Sequence, residues 1–452
     1  MTNIPPQNPK SNAAHTEVRS PDNAWRAGLR RERRQTSPQA RPANHSCSMK
    51  SHPNSFHLLA LGTFCALAGV VTAAQQTPAA PVVNWDSVPA ILARIKAPQF
   101  PAHDFPITNY GAKGDGTTDC TDAIRQAIDA CNKAGGGRVV VSGGVFLTGA
   151  VHLKSNVNLF VAEGTTLKFS TDFSKFLPVV LARFEGTEVM NYSPLVYALD
   201  QENIAITGKG TLDGSASNEN WWGLTRRATT PGAATGTGTS SQRDLIAMGE
   251  KGTPVAERIF GDKGTLRPNF IVPYRCKNIL IEDVRIINSP MWEINPVLCT
   301  NITVRGVEIH SHGPNNDGCD PDSSRDVLIE NCVFDTGDDC IAIKSGKDAD
   351  GRRVGVPSEN LIIRNCVMMD GHGGVVLGSE NSGGIRNVFA ENCTMDSPRL
   401  DRALRLKTNS GRGGYLENVF FRNVKVGRVA HSILTIDLVY GRVNDGAFPP
   451  IV

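Results

Sequence analysis

The sequence predicts an all-β fold, a single right-handed parallel β-helix with an N-terminal capping helix, and three observations carry that prediction. A short strand motif recurs along the second half of the chain. Glycine is abundant, at 44 of 452 residues, while aromatics make up only 6%. Helical periodicity is confined to one stretch. Together these mark a chain of short strands and turns.

From the N-terminus, residues 1–48 are rich in arginine and proline and read as a non-structural upstream extension. Met49 opens "MKSHPNSFHLLALGTFCALAGVVTAAQQ": a lysine, an apolar run from Leu58 to Val71, then Thr72, Ala73 and Ala74. That order predicts a signal peptide over 49–74, its apolar core too short for a comfortable membrane span. A short membrane anchor with a cytoplasmic tail is the weaker alternative. Without residues 1–74, the 47 basic and 44 acidic residues become 38 and 41, a net charge of −3 instead of +3. The argument for a nucleic-acid partner disappears with the leader. Residues 75–104, rich in Pro and Ala, read as a linker that wraps or dangles. "TDCTDAIRQAIDACNKAGGG" (118–137) puts Ala123, Ile124, Ala127, Ile128 and Cys131 on one helical face, with Thr121 as candidate N-cap and glycines as the stop. Such a helix would cover the open end of a strand tube, which otherwise exposes unpaired edges. "ATTPGAATGTGTSSQ" (228–242) reads as a mobile surface loop.

The repeat follows. Its copies are "NILIEDVRI" (278), "NITVRGVEI" (301), "DVLIENCVF" (326), "NLIIRNCVM" (360), "NVFAENCTM" (387) and "NVFFRNVKV" (418), with looser versions at 158 and 203. Starts lie 23 to 34 residues apart. No unit could bury its apolar face alone, so the units must stack as a solenoid. Without intervening helices the natural solenoid over 105–452 is a parallel β-helix, each coil about 4.8 Å from the last; a leucine-rich repeat lacks its leucine spacing here. Cys332, Cys366 and Cys393 occupy one repeat position, filled elsewhere by Val284, Val307 and Val424, and therefore read as a buried interior column. The asparagines before that position (331, 365, 392, 423) suit a left-handed turn with stacked side chains. Nine cysteines follow the expected cut. Disulfides among Cys120, Cys131, Cys276, Cys299, Cys319 and Cys340 stay open, since the sequence cannot pair them.

"FDTGDDCIAIKSG" (334–346) sets Asp338 beside Asp339; on the string alone this reads as turn punctuation, although adjacent like charges bring a stable fold no obvious gain. In the repeat, Asp338 and Asp339 lie 12 and 13 residues past Asp326, and His372 lies 12 past Asn360. Asp317 lies 16 past Asn301, and Arg405 and Lys407 lie 18 and 20 past Asn387. Four consecutive coils thus bring acids, a histidine and two cations to a similar phase, which fits an extended anionic ligand. Paired acids are what glycosidic cleavage requires, one protonating the leaving oxygen and one deprotonating water. Crowding should raise at least one of their pKa values and keep a proton available. Arg and Lys suit the carboxylates of an acidic sugar.

The chain resembles the polygalacturonases, the pectin-degrading glycoside hydrolases of family 28, over about 105–452. The resemblance rests on four ordered motifs, "NND" (315–317), "GDD" (337–339), "GHG" (371–373) and "RLK" (405–407). Asn316 and Leu406 depart from the family's usual Asn-Thr-Asp and Arg-Ile-Lys. The resemblance implies a parallel β-helix, inversion at the anomeric carbon, no metal and no other cofactor. It implies Asp338 as general acid, Asp317 and Asp339 as activators of water, His372 as support, and Arg405 and Lys407, with Asn315 beside them, as binders of galacturonate. The implied partner is an acidic polysaccharide or oligogalacturonide met by a secreted or periplasmic monomer, with no stable membrane association.

Other readings compete. A Ca²⁺-dependent pectate lyase could use Asp317, Asp320, Asp322, Asp338 and Asp339 as ligands; a non-catalytic adhesin-like β-helix would explain the repeat without the charges. His310 and His312 read as structural rather than as metal ligands with His372. Trp221 and Trp222 could stack on sugar or cover a coil. Lys344 reads as a solvated strand residue. The 223–268 insertion is a candidate for closing one end of the groove. The apolar ending "LTIDLVYGRVNDGAFPPIV" carries the expectation of further coils beyond Val452.

Overall fold

The computed structural model describes residues 82–226, 240–441 and 446–452. The expected extension and signal peptide, the first part of the expected linker, and residues 228–239 of the low-complexity segment lie outside them.

Two ten-stranded parallel sheets run the length of the domain. One begins at Asp104–Pro106 and ends at Leu416–Arg422; the other begins at Asp115–Asp119 and ends at Lys425–Val426. A third face is made of Val151–His152, Val196–Leu199 and Ile271–Tyr274, and further on of Ile341–Ile343, Val375–Leu377, Arg402–Lys407 and Ser432–Asp437. Parallel bridges through Ile294, Val297, Cys319 and Asp322 join its two halves. This is the expected parallel β-helix. Pairing stays in register: Ile279, Ile302, Val327, Leu361, Val388 and Val419 follow one another in the first sheet. Because successive strand residues face opposite sides, that register stacks the apolar side chains into one interior column.

The helix Thr121–Lys133 buries the five predicted residues in the same core. Its cap differs from expectation. Cys120 is the N-cap and makes no side-chain cap hydrogen bond. Thr121 is already helical; its hydroxyl donates to Asp119 at 2.5 Å and accepts from the Gly149 amide at 2.7 Å.

All nine described cysteines are free and buried, so the disulfide option falls away and packing accounts for them. The asparagines at 331, 365, 392 and 423 have φ of 51–56°, as read. The hydrogen-bonded side-chain ladder, however, runs through the first residue of each repeat. Asn156, Asn203, Asn278 and Asn301 join amide to amide, as do Asn360, Asn387 and Asn418. All of those side chains but Asn418 are at least partly buried, and each amide reaches the next coil's.

Residues 84–97 wrap onto the sheet and carry a helix that the linker expectation did not include. The Val88–Arg94 helix packs Val88, Ile91 and Ile95 onto Leu328, Ile362 and Phe389, outward-facing residues of the first sheet. Arg94 pairs with Asp326 at 2.8 Å, and the Lys96 backbone exchanges two hydrogen bonds with the Asn301 amide. Proline early in the helix masked it, although proline is well tolerated in a first turn. Ser240–Gln242, expected in the mobile loop, begin the helix Ser240–Glu250.

Candidate active site

Parallel stacking assembles the site from the connections between the second and third faces. Asp317 lies after Glu308–Ser311, Asp338 and Asp339 after Val333–Thr336, and His372 after Val367–Asp370; Arg405 and Lys407 stand on Arg402–Lys407 itself. Backbone hydrogen bonds tie these turns together. The Asp338 amide donates to the Asn316 carbonyl (3.2 Å), the Gly318 amide to Asp339 (2.9 Å), and the His372 amide to Asp338 (3.1 Å). Gly371 permits the last approach. Its φ is 139°, and a Cβ there would lie 2.4 Å from the Asp338 carbonyl oxygen.

Each of the three acids offers an oxygen within 4.8 Å of the others. Asp339 is wholly buried; its Oδ2 accepts from Lys407 Nζ at 2.6 Å, and an Arg405 nitrogen lies 4.0 Å from Oδ1. Asp338 Oδ1 is 3.0 Å from His372 Nδ1. Asp317 is 3% exposed, its Oδ2 3.5 Å from Lys344 Nζ and its Oδ1 without a hydrogen bond. The Arg405 and Lys407 cations both lie about one ring from Tyr440, at 5.2 and 5.0 Å from its centroid. Asn315 is partly buried and accepts from Arg267 at 2.7 Å, so its amide is tied to the wall of the site. Asn316 is buried. Its amide accepts from Ser311 and Gly313 and donates to the Ser289 and Met291 carbonyls, bracing the turn that carries Asp317.

Electrostatics are uneven among the acids. Burial pushes Asp317 well above the ordinary carboxylate range, and the charges of Asp320 and Asp338 add to this against Lys344. Burial also raises Asp338, but the His372 hydrogen bond and the charges of His372, Lys407 and Lys344 outweigh it, leaving that carboxyl below its usual value. His372, about half exposed, is raised in turn by its bond to Asp338. Crowding therefore does retain protons, as the sequence leads one to expect, but it acts on the neighbouring buried pair Asp317 and Asp320 rather than on Asp338.

Lys344 corrects its sequence reading. It is 2% exposed, with Nζ 3.5 Å from Asp317, 3.6 Å from Asp320, 3.4 Å from Glu380 and 4.4 Å from the Trp292 ring. The available signal was register. Alternation from Ile341 puts Ala342 and Lys344 outward, onto the face that carries Asp320 and Asp322. Asp320 entered the sequence reading only as a calcium ligand of the lyase alternative, and Arg267 was not singled out at all. Trp221 is fully buried and stacked on Phe173 at 3.9 Å, so it packs the core; Trp222 bonds the Ser289 carbonyl.

Two acidic groupings among the described residues have the spacing of cation ligands: the three aspartates, and His312 with Asp335 and Asp370. Protein cations already serve both. Lys344 and Lys407 reach the first, and Arg399 lies 3.3 Å from Asp335 and 3.5 Å from Asp370 in the second. His310 also contacts Asp335, and His372 belongs to neither group.

Comparison with known proteins adds to this geometry. The model of glycosyl hydrolases family 28 matches residues 256–450, and that of rhamnogalacturonase A/epimerase, pectate lyase-like, matches 105–191. A probable polygalacturonase of Vitis vinifera is 31% identical, over 72% of this chain and 60% of its own. An exo-poly-alpha-D-galacturonosidase of Dickeya chrysanthemi is 32% identical, over 75% and 57%. The chain thus spans under two thirds of the length of these two curated relatives. A hyperthermoactive exopolygalacturonase of Thermotoga maritima, known by crystal structure, is 50% identical with a TM-score of 0.76, over 81% of this chain and 82% of that one.

Proposed function

The chain belongs to the glycosyl hydrolases of family 28, and from that premise we propose that it hydrolyses α-1,4-galacturonosyl linkages of polygalacturonate with inversion. One observation carries the reading. Three mutually close carboxylates, one on a histidine and one on a lysine, stand beside Arg405 on a single face. An acid-rich site lined by cations fits cleavage of a polymer whose sugars are themselves carboxylates.

In this mechanism Asp338 gives its proton to the glycosidic oxygen as the C1–O bond breaks. Asp317 and Asp339 orient a water on the other face of the sugar, and one of them takes its proton as the new C–O bond forms. The His372–Asp338 pair holds the acid's proton between turnovers. Entry of an anionic sugar removes the advantage of an ionised Asp338 and draws the proton across the 3.0 Å bond. Arg405 and Lys407 hold the substrate carboxylate. Inversion rests on the resemblance, since close acid oxygens are, on general grounds, equally at home in a retaining enzyme. NMR of the first-formed product anomer on reduced-end-labelled oligogalacturonate tests it; a retained anomer would refute it.

We also read the attack as exo. Ala182, Phe184, Val189, Leu245, Phe260 and Leu266, from the 180–191 hairpin and the insertion, pack with Met291 and Trp292. Trp292 in turn lies over Lys344, so that end of the face is filled by protein. The Dickeya and Thermotoga relatives are exo-acting by name. Early release of monomer alone supports this; an early ladder of oligomers would refute it. Export as a monomer through the 49–74 leader completes the proposal. No helix among the described residues is long and apolar enough to cross a membrane.

A further inference from the structure

Lys344, Asp320 and Glu293 are buried ionisable groups that the proposed mechanism does not use. Lys344 Nζ stands among three carboxylates at 3.4–3.6 Å. Glu380 has other cations, Arg412 at 3.6 Å and Lys347 at 3.9 Å. Asp317 and Asp320 must therefore share the one charge of Lys344. Two carboxylates at one ammonium leave one negative charge uncompensated in a buried region, and such a charge is relieved by taking up a proton.

The surroundings decide which acid keeps it. Asp317 faces Lys344 and Arg267, against Asp320, Asp338 and Asp339. Among the described residues Asp320 pairs with no cation but Lys344, against Asp338, Asp339, Glu380 and the buried Glu293. Asp317 accepts a hydrogen bond from Lys344, whereas neither Asp320 oxygen has any hydrogen-bond partner. Given the water-activating role read above for Asp317, we propose that Lys344 is a positioning residue that keeps Asp317 ionised, while Asp320 holds the proton the crowded acids must retain. Burial, opposed by Lys344 and reinforced by Asp339, pushes Asp320 up to about 8, and Lys344 stays charged because its three acids outweigh its burial.

Two measurements test this. In the pH profile of kcat/KM on digalacturonate, the acidic limb reports the free enzyme's base. Lys344→Met removes the nearest cation and should move that limb to higher pH by about one unit or more, with Lys344→Arg restoring it. An unmoved limb overturns the proposal. The second needs neither activity nor the Lys344 variants to fold. The carboxyl ¹³C resonance of Asp320, assigned by its loss in Asp320→Asn, should report a protonated acid in the wild-type protein up to about pH 7. An ionised Asp320 at pH 6 overturns the proposal. A protein inert on galacturonides but with Asp320 protonated would instead refute the proposed reaction and leave the proton assignment standing.

Discussion

Asp338 and His372 share a 3.0 Å contact, and it governs what each can do. Asp338→Asn keeps the shape and removes the proton donor; kcat should fall by about 10²–10⁴-fold, measured by reducing-end release, with unchanged thermal unfolding. His372→Ala removes the group that holds the pair's proton in the imidazole range. The bond raises the His372 pKa in the native protein, so the proton is lost only at higher pH. Without it, the alkaline limb of the pH profile should move down toward the range of a buried carboxylic acid. An alkaline limb unchanged in His372→Ala would remove the histidine from the proton path. That Asp317, Asp338, Asp339, His372, Arg405 and Lys407 gather on one face was legible because they come at a similar phase of successive repeats. Lys344 was not legible because its burial depends on Trp292, 52 residues earlier, and on an insertion whose docking no local pattern records.

At the scale of elements, the repeat could be read because each strand's alternation must agree with its neighbours', and six copies repeat the same compromise. The Val88–Arg94 helix escaped because its apolar side meets outward sheet residues, Leu328, Ile362 and Phe389. Alternation assigns such residues to solvent. Ile91 is 4% exposed there, so Ile91→Ala should cost about 2–5 kcal/mol, read by denaturant unfolding; a loss within experimental error would mean the helix is loosely docked. The acids around Lys344 give a second test. A carboxyl with a raised native pKa binds more protons folded than unfolded between its two values, so its contribution to stability falls as pH rises through that window. For Asp320 the window runs from about 4 to about 8. Asp320→Asn should therefore show a flatter decline of Tm across it than the wild type.

Across the whole molecule, interior columns of apolar side chains fill the tube along its length. Ile433, Leu434 and Ile436 are each more than half exposed on Ser432–Asp437. Exposed apolar strand residues favour edge-to-edge association, so light scattering should rise with concentration, and Ile436→Lys should reduce it. The architecture was legible as a whole because a solenoid's period is written in sequence. The exo attack proposed above was not, because that reading rests on how the 180–191 hairpin and the insertion pack on Trp292. The most direct measurement is product analysis on polygalacturonate with excess EDTA. Hydrolysis by Asp338, Asp317 and Asp339 should continue undiminished and release galacturonate with saturated ends. Chelator-sensitive release of unsaturated, ultraviolet-absorbing products would contradict it and establish a lyase.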